Sequence, residues 1–202
     1  FGAEFRNEDL VSGNLGEPLD NPIHIHGTDR NYAYGLNRSN LSFYLEHNVI
    51  LKRFTLSAGF TAVKNTWNEM PFKIYPGVDV SYRIGQNWKV FASYNMSLRM
   101  PSFTELYYSV DGHKADKYLK PEEMSAVEGG VRYVSEGITG TLSVYHHHGT
   151  NMIDWIMDTS LVENAVWTSV NHAEINSTGF EASLKFRFAS LLPRQDVLRT
   201  LN

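Results

Sequence analysis

The chain has 202 residues, with eight histidines and no cysteine. Without thiols it can form no disulfide framework, thiolate metal site or cysteine nucleophile. The densest imidazole run is His146-His147-His148. On a strand His146 and His148 share a face and His147 opposes them, so three facial ligands are not available. His24-Ile25-His26 could set two imidazoles on one side of an extended loop, with Asp20 or Asp29 as a third ligand. Solvated polar residues are the plainer reading of both, and no metal site is expected. Serine, histidine and aspartate all occur, but no Gly-x-Ser-x-Gly elbow exists and no spacing singles out a triad. There is no phosphate loop and no GxGxxG fingerprint. The expectation is therefore not an enzyme, and no cofactor.

The remaining chemistry is recognition. Segment 100–121 carries Phe103, Tyr107, Tyr108, Asp111 and His113, and segment 151–174 carries Trp155, Asp158, Trp167, Asn171 and His172. Rings with a few polar groups suit planar or amphipathic ligands such as corrinoids, haem, catecholates or sugars. Tyr107, Tyr108, Asp111, His113, Trp155 and Trp167 are the candidate ligand-binding residues. The competing role for the tyrosines and tryptophans is anchorage at lipid headgroups. A net charge of −4 gives no electrostatic reason to expect a nucleic-acid partner.

These residues must be positioned by strands. The composition is 42% hydrophobic, 20% charged and 13% aromatic, too ordinary for wholesale disorder and biased toward strand formers. No apolar run approaches the roughly 20 residues a spanning helix needs. The dominant signal has period two. Phe180, Ala182, Leu184, Phe186 and Phe188 fall on one face; Glu181, Ser183, Lys185 and Arg187 fall on the other. The same alternation places strands near 1–10, 38–50, 53–64, 75–84, 88–99, 122–134, 138–150 and 175–188. Pro76 cannot donate to a ladder and is expected at its strand's start.

Connection lengths carry the second signal. Leu51-Lys52, Gly85-Gln86-Asn87 and Ser135-Glu136-Gly137 suit tight hairpins. The stretches 11–37, 65–74, 100–121 and 151–174 read as long loops. Short and long alternate, as in an antiparallel up-and-down meander with all tight turns at one end, the arrangement of outer-membrane barrels. A soluble β-sandwich also alternates apolar and polar faces. Against it stand strands of about the 9–11 residues needed to cross a bilayer. Aromatics at strand ends and loop edges (Trp67, Trp88, Tyr107, Tyr108, Trp155, Trp167) further suit an interfacial girdle. In a barrel, Glu46, Asp79, Arg83, Lys89, Arg99, Glu128, Arg132, Glu181, Lys185 and Arg187 face the bore.

Several stretches resemble TonB-dependent outer-membrane receptors. Arg99-Met100-Pro101-Ser102-Phe103-Thr104-Glu105-Leu106-Tyr107 looks like the family's Arg-x-Pro-Ser/Thr-x-x-Glu/Gln-Leu-Tyr stretch. Leu119-Lys120-Pro121-Glu122 is similar to its Leu-Lys-Pro-Glu motif, and Ile175-Asn176-Ser177-Thr178-Gly179-Phe180-Glu181 to its recurrent Gly-x-Glu strand opening. The ordered series covers about 80 residues. Asp116-Lys117 stands where an Asn-Pro pair often precedes Leu-Lys-Pro-Glu. The vitamin B12 and siderophore receptor branches look nearest. The motif residues also have structural reasons. Pro101 ends a strand, Pro121 sets the start of the next, and Gly179 suggests a bulge or close backbone approach.

The resemblance implies a 22-stranded transmembrane barrel around an N-terminal plug. It also implies ligand capture at the outer loops and coupling to the TonB complex through a box preceding the plug. On that reading residues 1–202 are a fragment of the barrel domain, with plug and box absent from it. The alternation already under way at Phe1, the lack of a Met start and Asn202 in place of a terminal aromatic strand carry the same expectation. The implied role is import of a large scarce nutrient across the bacterial outer membrane, with membrane lipid around the wall. Cobalamin or a ferric siderophore leads, ahead of haem or oligosaccharide. The alternative is a small eight-stranded outer-membrane barrel that anchors or binds partners without transporting.

Overall fold

The alternating segments pair into one sheet. A computed structural model describes residues 1–67, 70–110, 112–157 and 165–187. In chain order the strands are β1 (Gly2–Ser12), β2 (Glu17–His24), β3 (Asn31–Ile50), β4 (Phe54–Asn65), β5 (Lys73–Ile84) and β6 (Trp88–Arg99). A five-residue helix, α1 (Phe103–Tyr107), follows. The strands resume with β7 (Ser109–Val110), β8 (His113–Lys114), β9 (Glu122–Val134), β10 (Ile138–Met157) and β11 (Trp167–Phe186). The lateral order is β1-β3-β4-β5-β6-β9-β10-β11-β8-β7, with β2 hydrogen-bonded to β3. All pairs are antiparallel except β8 with β11, which touch at His113↔Trp167 and Lys114↔Thr168.

The eight expected strands form in the expected meander, and the structure adds to them. Stretch 11–37 contains β2, which returns along β3. Stretch 100–121 contains α1 and the β7–β8 hairpin. Stretch 151–174 is a loop only in its middle: β10 and β11 remain paired out to Met157↔Trp167. Register shifts between Gly149 and Ile153 explain why alternation missed this extension. Asn151 there takes φ 55, and each inserted residue resets the period-two count. Phe188, the expected end of the last strand, lies outside the described residues. Pro76 is the fourth residue of β5 instead of the first. Its cost is avoided because pairing with β6 begins only at Gly77, leaving Pro76 with one neighbour, Phe60 of β4.

Register decides which side chains share a face. Directly opposite residues give the row Val49–Leu56–Val80–Ala92–Gly129–Val144–Phe180. A second row runs Phe54–Tyr82–Val90–Val131–Leu142–Ala182. The opposite face carries Asn48–Ser57–Asp79–Ser93–Glu128. No second sheet covers the apolar rows: Phe180 is 75% exposed, Val144 61% and Leu142 51%. In water such a surface is far too large and continuous for a monomer, whereas lipid tails satisfy it. The β-sandwich is thereby excluded for the described residues.

The buried clusters lie at the long-loop end. Val63, Met70 and Tyr75 form one, backed by Met96, Leu98 and Met100. Trp67, Leu106 and Leu119 form the other, backed by Met100, Tyr107 and Ile153. Trp67, expected in an interfacial girdle, is in this core. Trp88 is half exposed at the tight-turn end, with its ring centroid 4.9 Å from that of Tyr133. Among the described residues no pair joins β1 to β11, so the sheet is an open wall.

Candidate functional site

The long-loop end is organised by Arg99, the last residue of β6. Its Nε and Nη2 donate to the two carboxylate oxygens of Glu122, at 2.5 and 2.8 Å. Its Nη1 and Nη2 donate to those of Glu105, at 3.1 and 3.0 Å. One planar guanidinium thus ties the end of β6 to α1 and to the start of β9. Glu105 also closes a capping box, accepting from the Ser102 backbone N–H at 2.7 Å while the Ser102 hydroxyl accepts from the Glu105 backbone N–H at 3.2 Å. Burial alone would raise the Glu105 carboxyl, but Arg99 and Ser102 outweigh it and hold the group below the usual carboxylate value. Glu122 accepts in addition from the Ile153 backbone N–H at 2.8 Å, which reaches β10.

The rest of the loop is fastened to β11 and β3. The Ser169 hydroxyl, fully buried, donates to the Glu105 carbonyl at 2.8 Å and accepts from the Asp116 N–H at 2.7 Å. Asn171 donates to the Lys120 and Asn151 carbonyls and accepts from the Lys120 N–H. Arg38 donates to the Pro101 carbonyl at 2.7 Å and to Glu8 at 2.6 Å, with its guanidinium 4.6 Å from the Phe103 ring centroid. Pro101, Leu106 and Leu119 are buried beneath these contacts. Periodicity could not disclose Arg38, Ser169 or Asn171 as clamps, because their partners within 100–121 are 51 to 64 residues away.

The structure brings three of the six candidate ligand residues together. Tyr108, His113 and Trp155 meet edge to face, with centroids 5.8 Å, 6.4 Å and 5.7 Å apart for Tyr108–His113, Tyr108–Trp155 and His113–Trp155. His113 Nδ1 is shielded and has no hydrogen-bond partner among the described residues. Trp167 joins through its backbone, pairing with His113 and donating to the Gly112 carbonyl at 2.9 Å. Trp155 and Trp167 sit on paired strands instead of a loop, because β10 and β11 continue past the bulge. Tyr107 turns elsewhere, to Glu17 and Lys117. Burial raises its phenol above the usual value and the Glu17 charge adds to the effect. A shallow cavity of about 290 Å³ lies there, lined by Gly16, Glu17, Tyr34, Tyr107 and Lys117. Asp111 and Asp158 lie outside the described residues.

The histidine runs take polar partners instead of each other. His146 and His148 bond through Nδ1 to Thr178 and Asn176 on β11, at 2.8 and 2.9 Å. His147, on the opposite face, stacks 4.8 Å from Tyr145. His24 contacts Asn31 at 3.2 Å. Among the described residues no three His, Asp or Glu side chains converge on a point where an ion could sit.

A bare apolar face, a charged opposite face, tight turns at one end and folded loops at the other define the wall of a transmembrane β-barrel. Residues 1–200 match the family model described as TonB dependent receptor-like, beta-barrel, and the chain belongs to that family. Solved structures share the fold. The siderophore receptor PirA from Acinetobacter baumannii aligns with TM-score 0.69 at 13% identity over 92% of this chain. A mutant of the ferric enterobactin receptor PfeA from Pseudomonas aeruginosa aligns with TM-score 0.67 at 15% identity over 90%. A double mutant of the Serratia marcescens hemophore receptor HasR, in complex with HasA and heme, aligns with TM-score 0.63 at 16% identity over 75%. The chain spans 31%, 29% and 32% of those chains respectively.

Proposed function

We propose that this chain forms part of the barrel wall of a TonB-dependent importer in the bacterial outer membrane, with a ferric siderophore as cargo. Cobalamin and haem stand next and oligosaccharide behind. The carrying observation is the register: the rows from Val49 to Phe180 and from Phe54 to Ala182 put apolar residues of successive strands on one exposed face, while the row from Asn48 to Glu128 puts polar and charged residues on the other. A plug and its TonB contact, carried elsewhere in the protein, belong to the same proposal. The siderophore assignment is supported by two neighbours named as siderophore or ferric enterobactin receptors, and the haem alternative by HasR.

Ligand capture is assigned to the outer surface around Tyr108, His113 and Trp155, with Trp167 flanking and Tyr107 at the adjoining cavity; Asp111 is proposed as a further ligand residue on its residue type alone. Preset rings lose little conformational freedom on binding a planar catecholate or macrocycle. The test is uptake by a strain lacking the full-length gene, supplied with ferric enterobactin, cobalamin or haem as the limiting source. Loss of ferric siderophore uptake, restored by the gene, is expected. Unimpaired siderophore uptake with lost cobalamin or haem uptake moves the assignment to that cargo. In the restored strain Trp155→Ala should weaken binding about tenfold or more, as truncating an aromatic anchor does.

A further inference from the structure

The methionines divide by their surroundings. Met70, Met96 and Met100 belong to the buried cluster around Val63 and Tyr75. Met124 and Met152 belong to neither buried cluster; Met124 is exposed and Met152 half-buried. Register sets Met124 on the charged face, four residues from Glu128 along β9. Directly opposite it stand Ser97 of β6 and Gly149 of β10. A thioether among such neighbours has no core to fill.

The backbone brings a second thioether to the first. β10 carries register shifts between Gly149 and Ile153, and Asn151 within them takes φ 55. No other non-glycine residue among those described has positive φ. Asparagine tolerates that region better than most side chains. Asn171 holds the peptide there by donating to the Asn151 carbonyl at 2.7 Å. Bulges re-aim side chains, and this one turns Met152 back over Gly149. A Cβ at Gly149 would stand 2.9 Å from Met152 Sδ and 3.8 Å from the Met124 methyl carbon. Two thioether side chains thus close on the space that one glycine leaves open.

His147 lies two residues before Gly149 on the same face and pairs with Ala126, diagonal to Met124. Its ring stacks on Tyr145 and makes no hydrogen bond among the described residues. Ile175, opposite Gly149 on β11, adds an apolar wall. The carboxylates nearest along β9 are engaged elsewhere, Glu122 by Arg99 and Glu123 by Lys73 and Tyr75. Glu128 is roughly 13 Å down the strand from Met124.

We propose that Met124, Met152 and His147 form a capture site for a soft monovalent cation, Cu(I). Thioethers select such an ion, whereas hard cations prefer oxygen donors, which are committed to other partners here. The ion draws the His147 ring in from its stack on Tyr145 to complete a set of two sulfurs and one nitrogen. The histidine run alone could not disclose the site, because the sulfurs come from β9 and from beyond the bulge. The proposal is independent of the siderophore assignment.

The test titrates the full-length protein in detergent and chloride-free buffer with Ag(I), a redox-inert stand-in for Cu(I). The methionine methyl groups carry 13C. One Ag(I) should bind here and shift two methyl signals, the ones missing from Met124→Leu and Met152→Leu. Each of these near-isosteric variants should weaken binding about tenfold or more, since losing even a supporting group around a metal costs about 10–100-fold. His147→Phe, which keeps a ring beside Tyr145, should weaken it similarly. Gly149→Ala should also weaken it with every donor retained, because the new Cβ displaces the Met152 sulfur. Met157→Leu, at the last residue of β10, should leave affinity unchanged. Heat-dependent gel migration checks that each variant assembles.

No Ag(I) binding, or an affinity indifferent to both Met124→Leu and Met152→Leu, would overturn the site. Indifference to His147→Phe would overturn the three-donor set. Displacement of Ag(I) by an equal concentration of Zn(II) would overturn selection for a soft ion. None of these outcomes touches the cargo assignment, which uptake decides.

Discussion

The two ends of the wall are built on different physics. The long-loop end holds its own core: Trp67, Leu106 and Leu119 are sealed, and Arg99 is saturated by two carboxylates. The tight-turn end shows Trp88, Ile84 and four cations, Arg53, Arg83, Lys89 and Arg132, with no carboxylate partner among the described residues. One end is stabilised by contacts within the chain, the other by whatever lies on each side of the sheet. A barrel wall needs both kinds. Lipid covers the apolar face along the strands, while loops in water must bury their own backbone and apolar groups.

The contrast makes mutations at the long-loop end costly and those at the tight-turn end nearly silent for folding. Leu119→Ala should have the largest effect. It opens a cavity under the loop and costs about 2–5 kcal/mol of local stability, read as faster amide exchange across residues 100–121 in the purified full-length protein. Unchanged exchange there would show that the loop is not held by this core.

Arg99→Ala comes next, at about 1–3 kcal/mol. That lies between a broken buried pair and an exposed one, because Arg99 is half exposed while both glutamates are mostly covered. Its pH signature is specific. The Glu105 carboxyl is held below its ordinary value of 4.5, so its contribution is complete above that pH and is lost as pH falls through the depressed value. Loop protection in the unmutated protein should therefore decline below about pH 4.5, and the decline should be shallower in Arg99→Ala.

Gly179→Val is a smaller perturbation, about 1 kcal/mol. A Cβ at Gly179 would stand 2.5 Å from the Tyr145 hydroxyl, the far end of a side chain able to swing away. Tyr145→Ala should relieve most of the cost, measured as non-additivity in a double-mutant cycle. Lys89→Gln should be the mildest. With no ion-pair partner among the described residues to lose, it should leave barrel assembly and thermal stability unmeasurably changed at moderate salt, in contrast to every substitution above.

Period two was enough to place the eight long strands, their antiparallel order, the tight turns and the separation of apolar from charged faces. Those features depend on neighbours two residues apart, and Phe180 to Phe186 displays them without any knowledge of the rest. Gly179 was legible only as a special position: it pairs with Tyr145 without a shift, so no bulge occurs there, and the group that lies close over it is the Tyr145 side chain instead of another backbone. The bulge lies at Asn151, and it hid the continuation of β10 to Met157. The candidate site was legible as residue types and no further. Tyr108, His113 and Trp155 meet because segments 100–121 and 151–174 are brought to one end of the wall, and Tyr107 parts from its neighbour because α1 turns it toward Glu17. Contacts made outside a strand's own alternation leave no periodic trace. Only pairing register and the packing of the loops could determine that Arg99 joins Glu105 to Glu122, and that Arg53, Arg83, Lys89 and Arg132 stand in one row.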